Sequence, residues 1–129
     1  YRTAIPAMKQ GFYPNTLGTD LHASSINGAM KDQMNVFSVF LAMGMDIPSI
    51  IKAATWTPAL TIKRPELGNL SKGAIADITV ISMREGDFGF KDIVGNRQEG
   101  KRRFECQLTI KGGRVVYDLN AISSKPLLQ

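Results

Sequence analysis

Residues Leu67–Ser82 read LGNLSKGAIADITVIS, and the character of the chain changes within them. The second half, Ala76–Ser82, is a β-branched run of the kind that fills strands. The first half holds Gly68 and Gly73, which read as turn residues. Their spacing in GNLSKGA is that of neither a P-loop nor a dinucleotide fingerprint. Asp77 lies at the head of the run and reads as a turn or strand-end residue. The chain before this stretch reads mainly as helix, and the chain after it reads as strand.

On the C-terminal side, Phe104, Cys106, Leu108 and Ile110 are apolar, and Glu105, Gln107, Thr109 and Lys111 between them are polar. That alternation predicts a strand with one buried face. Cys106 falls on the apolar side and reads as a small core residue. Gly112-Gly113 supplies a two-residue hairpin turn, and Arg114–Leu119 returns as the partner strand. The basic run Lys101–Arg103 reads as a solvated loop. A nucleic-acid surface would interleave such residues with aromatics along one face, and here only Phe104 comes next. No nucleic-acid partner is expected. Ser123–Gln129 reads as a poorly ordered tail.

On the N-terminal side, Arg2–Gln10 predicts the end of a helix stopped by Gly11. Tyr13-Pro14 forces extension, and Thr16–Thr19 predicts a short strand with Asp20 at its C-terminal end. Ala23–Lys31 is a loop of small residues. Asp32 predicts an N-cap for a helix to about Met43, with Val36, Val39, Phe40 and Met43 at helical spacing and Phe37 and Leu41 on a second apolar side. Asp46 predicts the cap of the next helix, with Pro48 in its first turn and Ile47, Ile50, Ile51 and Ala54 as its buried stripe. Thr57-Pro58 predicts the start of one more short helix.

Composition bounds the class. The chain has 129 residues, 43% of them hydrophobic and 21% charged, with a net charge of +5. It suits one domain or a piece of a larger one. No apolar run reaches the length of about 18 residues that a membrane helix needs, so no membrane partner is expected. The start, YRTAIPAMKQ, carries no secretory h-region and no initiator Met, which reads as a chain beginning inside something longer. A lone cysteine excludes an internal disulfide framework and points to a reducing, cytoplasmic setting. One pairing of residue types stands out: Asp20 and His22, the only histidine, lie two apart in NTLGTDLH (Asn15–His22). Asp20 reads either as a base at a strand end or as a cap of the adjoining loop. His22 reads either as a contact to a small molecule or as a loop histidine bonded to backbone or water.

Three segments together resemble the C-terminal part of amidohydrolase-superfamily enzymes, of the dihydroorotase-like deacetylase and imidase-like kind. GFYPNTLGTDLH (Gly11–His22) resembles the last barrel strand of that family. VFSVFLAMGMDIPSIIKAATWTPALTI (Val36–Ile62) resembles its two helices ending in Thr-x-x-Pro-Ala, here Thr55 to Ala59. LGNLSKGAIADITVIS resembles the return into its small β-domain, through Gly68, Leu70, Gly73, Ala76 and Asp77. The resemblance covers about residues 1–120.

The resemblance implies an α/β fold: the C-terminal piece of a (β/α)8 metal-dependent hydrolase barrel over 1–66, part of a small composite β-sandwich over 67–120, and a tail over 121–129. A barrel of this kind takes about 250 residues, so the chain is expected to be a C-terminal fragment whose partner is the N-terminal remainder of the barrel. It further implies hydrolysis of a C–N bond in a small-molecule amide or cyclic imide. The implied cofactor is one or two divalent metal ions, zinc first, held mostly by residues outside this chain. Asp20 matches the family aspartate that serves as general base and metal ligand. His22 is then the substrate-binding candidate at the pocket mouth. A homo-oligomer is expected, and the fragment alone is expected to be inert. Two other readings stand beside this one: a non-catalytic amidohydrolase-like scaffold or assembly protein, and a self-standing β-domain that binds a partner.

Overall fold

The computed structural model describes residues 1–23, 25 and 28–127. Two aspartates start its central helices. The Asp32 carboxylate accepts from the Asn35 amide at 2.7 Å, and the Asp46 carboxylate accepts from the Ser49 amide at 3.0 Å. Each satisfies a backbone N–H that the first helical turn leaves unpaired. The helices they cap are α2 (Gln33–Ala42) and α3 (Ile47–Ala54); α1 (Ala4–Lys9) precedes them and α4 (Trp56–Thr61) comes after. Three strands then form one antiparallel sheet in the order β1 (Ile78–Lys91), β2 (Arg97–Lys111), β3 (Arg114–Asp118).

The core joins the two kinds of element. Met8, Leu17, Phe37, Met45, Ile50, Ala53 and Phe104 form one buried cluster. Phe37 of α2 meets Phe104 of β2 edge to face, with ring centroids 5.7 Å apart. Beside them Ser38 is fully buried, its Oγ donating to the Met34 carbonyl at 2.6 Å and accepting from the Phe104 amide at 2.9 Å. A helix side chain thereby completes the backbone bonding of the central strand. α2 buries Val36, Phe37 and Ser38, with Val39, Phe40 and Met43 half-buried, and α3 buries Ile50 and Ala53.

Several expectations change. Thr16–Thr19 is not a strand. A strand needs a ladder, and among the described residues no strand runs beside this segment. Its backbone instead bonds a helix end, the Leu17 amide donating to the Ala53 carbonyl at the end of α3 at 2.8 Å. The last helix starts at Trp56 rather than at Thr57-Pro58. The Thr55 hydroxyl, which could have capped it, donates back to the Ile51 carbonyl of α3 at 2.7 Å.

Lys101–Arg103 is strand, not loop. β1 runs on past Ser82 to Lys91, with Arg84 opposite Arg103 and Glu85 opposite Arg102, and Lys101 forms an ion pair with Asp87. The side chains there remain exposed. The clean alternation of Phe104–Ile110 also gives way: Phe104 is buried and Glu105–Ile110 are all half-buried. A bulge passes Gln107 between the pairs Ile81↔Cys106 and Val80↔Leu108, and the Gln107 amide donates to Ser82 Oγ at 2.9 Å. Cys106 is accordingly half-buried, with Sγ 3.4 Å from Thr109 Oγ1. At the tail, the Ser123 amide and hydroxyl both donate to Asp118. The last two residues of the tail lie outside the described residues.

Candidate functional site

The segment after α1 is pinned by buried Leu17, and three residues later the chain turns sharply. Asp20 adopts φ +48°, in the left-handed region that Asp tolerates better than most residues. The Thr19 hydroxyl accepts from the Leu21 amide at 3.2 Å, a turn bridged by a side chain. His22 Nδ1 lies 2.7 Å from the Asp20 carbonyl oxygen. A carbonyl can only accept, so Nδ1 carries the proton, and in the neutral ring Nε2 holds the lone pair. Ser25 Oγ donates to the same carbonyl at 2.9 Å and accepts from the His22 amide at 2.9 Å. Both lone pairs of the Asp20 carbonyl are thus occupied, while the side chains of Asp20 and His22 are exposed.

The structure therefore brings Asp20 and His22 together, through backbone rather than side chain to side chain. Ser25 and Thr19 complete the arrangement, and neither stands out in the sequence. The only cue is that hydroxyl residues lie near Asp-x-His, Thr19 directly before it and Ser25 three positions after His22, the residue type that bonds nearby backbone in turns. Part of the loop Ala23–Lys31 lies outside the described residues.

Asp77 is structural. Its carboxylate accepts from the Gly112 amide at 2.7 Å, and the neighbouring Ala76 carbonyl accepts from Gly113 at 3.0 Å. The two bonds tie the β2–β3 turn to the foot of β1.

A groove of about 1000 Å³ lies between α2, α3 and the sheet, lined by Gln33, Ile51, Leu70, Ile78 and Cys106 among others. Neither Asp20 nor His22 lines it. Among the described residues no three His, Cys, Asp or Glu side chains converge on a point where a metal ion could be held. These residues do not make a metal centre; Asp20 offers a single carboxylate. No helix among them is long and apolar enough to cross a membrane.

Comparison with known proteins places this architecture. The profile of the amidohydrolase family matches residues 1–116. The chain belongs to the amidohydrolase family. It is 29% identical over 116 residues to a deacetylase of Brucella anthropi, covering 90% of this chain and 29% of that protein. It is 28% identical to a deacetylase of Agrobacterium fabrum, over 90% of this chain and 28% of the relative. Among solved structures, an adenine deaminase superposes with TM-score 0.84 at 27% identity, over 89% of this chain and 31% of that one. A dihydroorotase superposes with TM-score 0.77 at 27% identity, over 91% and 32%. The chain thus spans under a third of the length of the relatives it matches.

Proposed function

We propose that the full-length protein hydrolyses a C–N bond of a small molecule, with Asp20 as the general base. Its relatives bear the names deacetylase, adenine deaminase and dihydroorotase, all hydrolases of C–N bonds. An N-acyl amino acid is the first substrate class and a cyclic imide the second.

The observation that carries the reading is the conformation of Asp20. An exposed carboxylate on a left-handed backbone, with its carbonyl fastened twice, is local strain held in place by specific contacts. Such strain gathers where a side chain has to be aimed. A carboxylate set this way can take a proton from an attacking water and return it to the leaving nitrogen. In this reading Asp20 is also one donor to a divalent metal, the others coming from outside these 129 residues. His22, through Nε2 of the neutral ring, contacts the substrate by accepting from an N–H or O–H.

The test is Asp20→Asn in the full-length protein, assayed on N-acetyl amino acids and cyclic imides. Asn tolerates the same left-handed backbone, so the change removes the charge and spares the turn. Turnover should fall by about 10²–10⁴-fold, the usual contribution of a general base. Full activity in the variant would remove Asp20 from the chemistry.

A further inference from the structure

The exposed turn at Asp20 carries more hydrogen bonding than its stability requires. Water would satisfy an exposed carbonyl at little cost, because a protein hydrogen bond that replaces one to water contributes little net. Yet the Asp20 carbonyl takes two side-chain donors, the His22 ring at 2.7 Å and Ser25 Oγ at 2.9 Å. The Ser25 hydroxyl has one proton and two partners in line. It donates to Asp20 and accepts from the His22 amide, and the His22 carbonyl is the more distant alternative at 3.2 Å. Removing that hydroxyl releases both ends of the turn together. The bonds define a conformation: φ +48° at Asp20 and a fixed tautomer at His22.

We propose that Ser25 is a positioning residue for Asp20. Its hydroxyl holds the Asp20 backbone in the left-handed region and holds His22 close enough for the Nδ1–H arm to form. The carboxylate direction and the His22 tautomer are then two outputs of one clamp. Ser25 does not touch substrate; it acts through Asp20. This rests on the reading of Asp20 as the general base, but the clamp has a signature of its own in the His22 ring.

The experiment uses full-length protein carrying 15N-labelled histidine, with the His22 signals assigned by their loss in His22→Gln. In the neutral ring, His22 should carry its proton on Nδ1. Ser25→Ala should shift the ring to the mixed tautomers of an unrestrained imidazole. It should also lower kcat on the N-acetyl amino acid panel about tenfold, with KM within about twofold, since misaiming a catalytic group by around 1 Å costs up to about 10²-fold. Ser25→Thr keeps the hydroxyl and should restore both tautomer and kcat. Wild-type His22 protonated at Nε2 overturns the clamp without need of any variant. So does a Ser25→Ala protein with unchanged tautomer and kcat. If the wild type hydrolyses nothing in the panel, the N-acyl amino acid reading fails, and the ring spectrum still decides whether the clamp exists.

Discussion

Gly68 meets two demands at once. Its φ is +67°, and a Cβ built on it would sit inside the contact distance of the Thr55 carbonyl, at the junction of α3 and α4. Gly73 meets only the first, with φ +91° and open space around it. Gly68→Ala should therefore cost about 2–3 kcal/mol or more, as backbone has to move against backbone. Gly73→Ala should cost about 1 kcal/mol from φ alone. Urea midpoints of the two variants compare them directly, and equal losses would contradict the close approach. Both glycines are legible as turn residues in the sequence, but the difference between them is not. The partner of Gly68 is a carbonyl thirteen positions back, and pattern reading sees only neighbours. The candidate site divides the same way. Asp20 and His22 are visible as an acid and a lone imidazole two apart. Ser25 reads as one more small loop residue until its bond to the carbonyl five positions earlier is known.

Elements whose ends are set locally were the readable ones. Asp32 and Asp46 each cap an amide three residues on, and Gly112-Gly113 turns between directly paired Lys111 and Arg114. The far half of the β1–β2 hairpin was not readable. Residues 84–103 there are mostly charged or glycine, and of the strand residues among them only Phe90 is buried, so no alternation marks the strand. Thr16–Thr19 fails in the opposite sense: the propensity is present and the ladder is absent. Between helix and sheet the decisive link is Ser38. Ser38→Ala leaves the buried Phe104 amide without its acceptor and should cost about 1–3 kcal/mol. A loss near zero in thermal or urea unfolding would mean that the amide finds another partner.

The caps also carry a pH signature. Hydrogen bonds from Ser49, hydroxyl first and amide second, hold the Asp46 carboxyl below its ordinary value. Bonds from Ser123 do the same for Asp118. Each group has a lower pKa folded than unfolded. Its contribution is present above the unfolded value of about 4 and is lost as pH falls through the folded value. The urea midpoint should therefore drop as pH falls below about 4. Asp46→Asn keeps the cap without the charge and should show a shallower drop; an identical acid profile would assign the acid loss to other groups.

For the molecule as a whole, the described residues hold one histidine and no cluster that could bind a metal ion. They also leave the groove of about 1000 Å³ between α2, α3 and the sheet open. Ile51, Leu70 and Ile78 line it, and Leu70 is 80% exposed. Apolar residues gathered on one exposed wall of the groove favour association. The 129-residue chain produced alone is therefore expected to hydrolyse no amide or imide, to bind Zn²⁺ only weakly, and to self-associate. Sedimentation velocity should show dimers or larger species at micromolar concentration, growing with concentration, and zinc titration should give no tight site. The two outcomes are separable by a surface change. Leu70→Ser removes apolar area from the groove wall without touching the Asp20 turn, so it should shift the chain toward monomer and leave the absence of turnover unchanged. A monodisperse monomer from the unmodified chain would mean that α2, α3 and the sheet close over the groove by themselves. Turnover by the chain alone would mean that its own residues form a working site without further ligands, and the assignment of the missing donors to other parts of the protein would then be wrong.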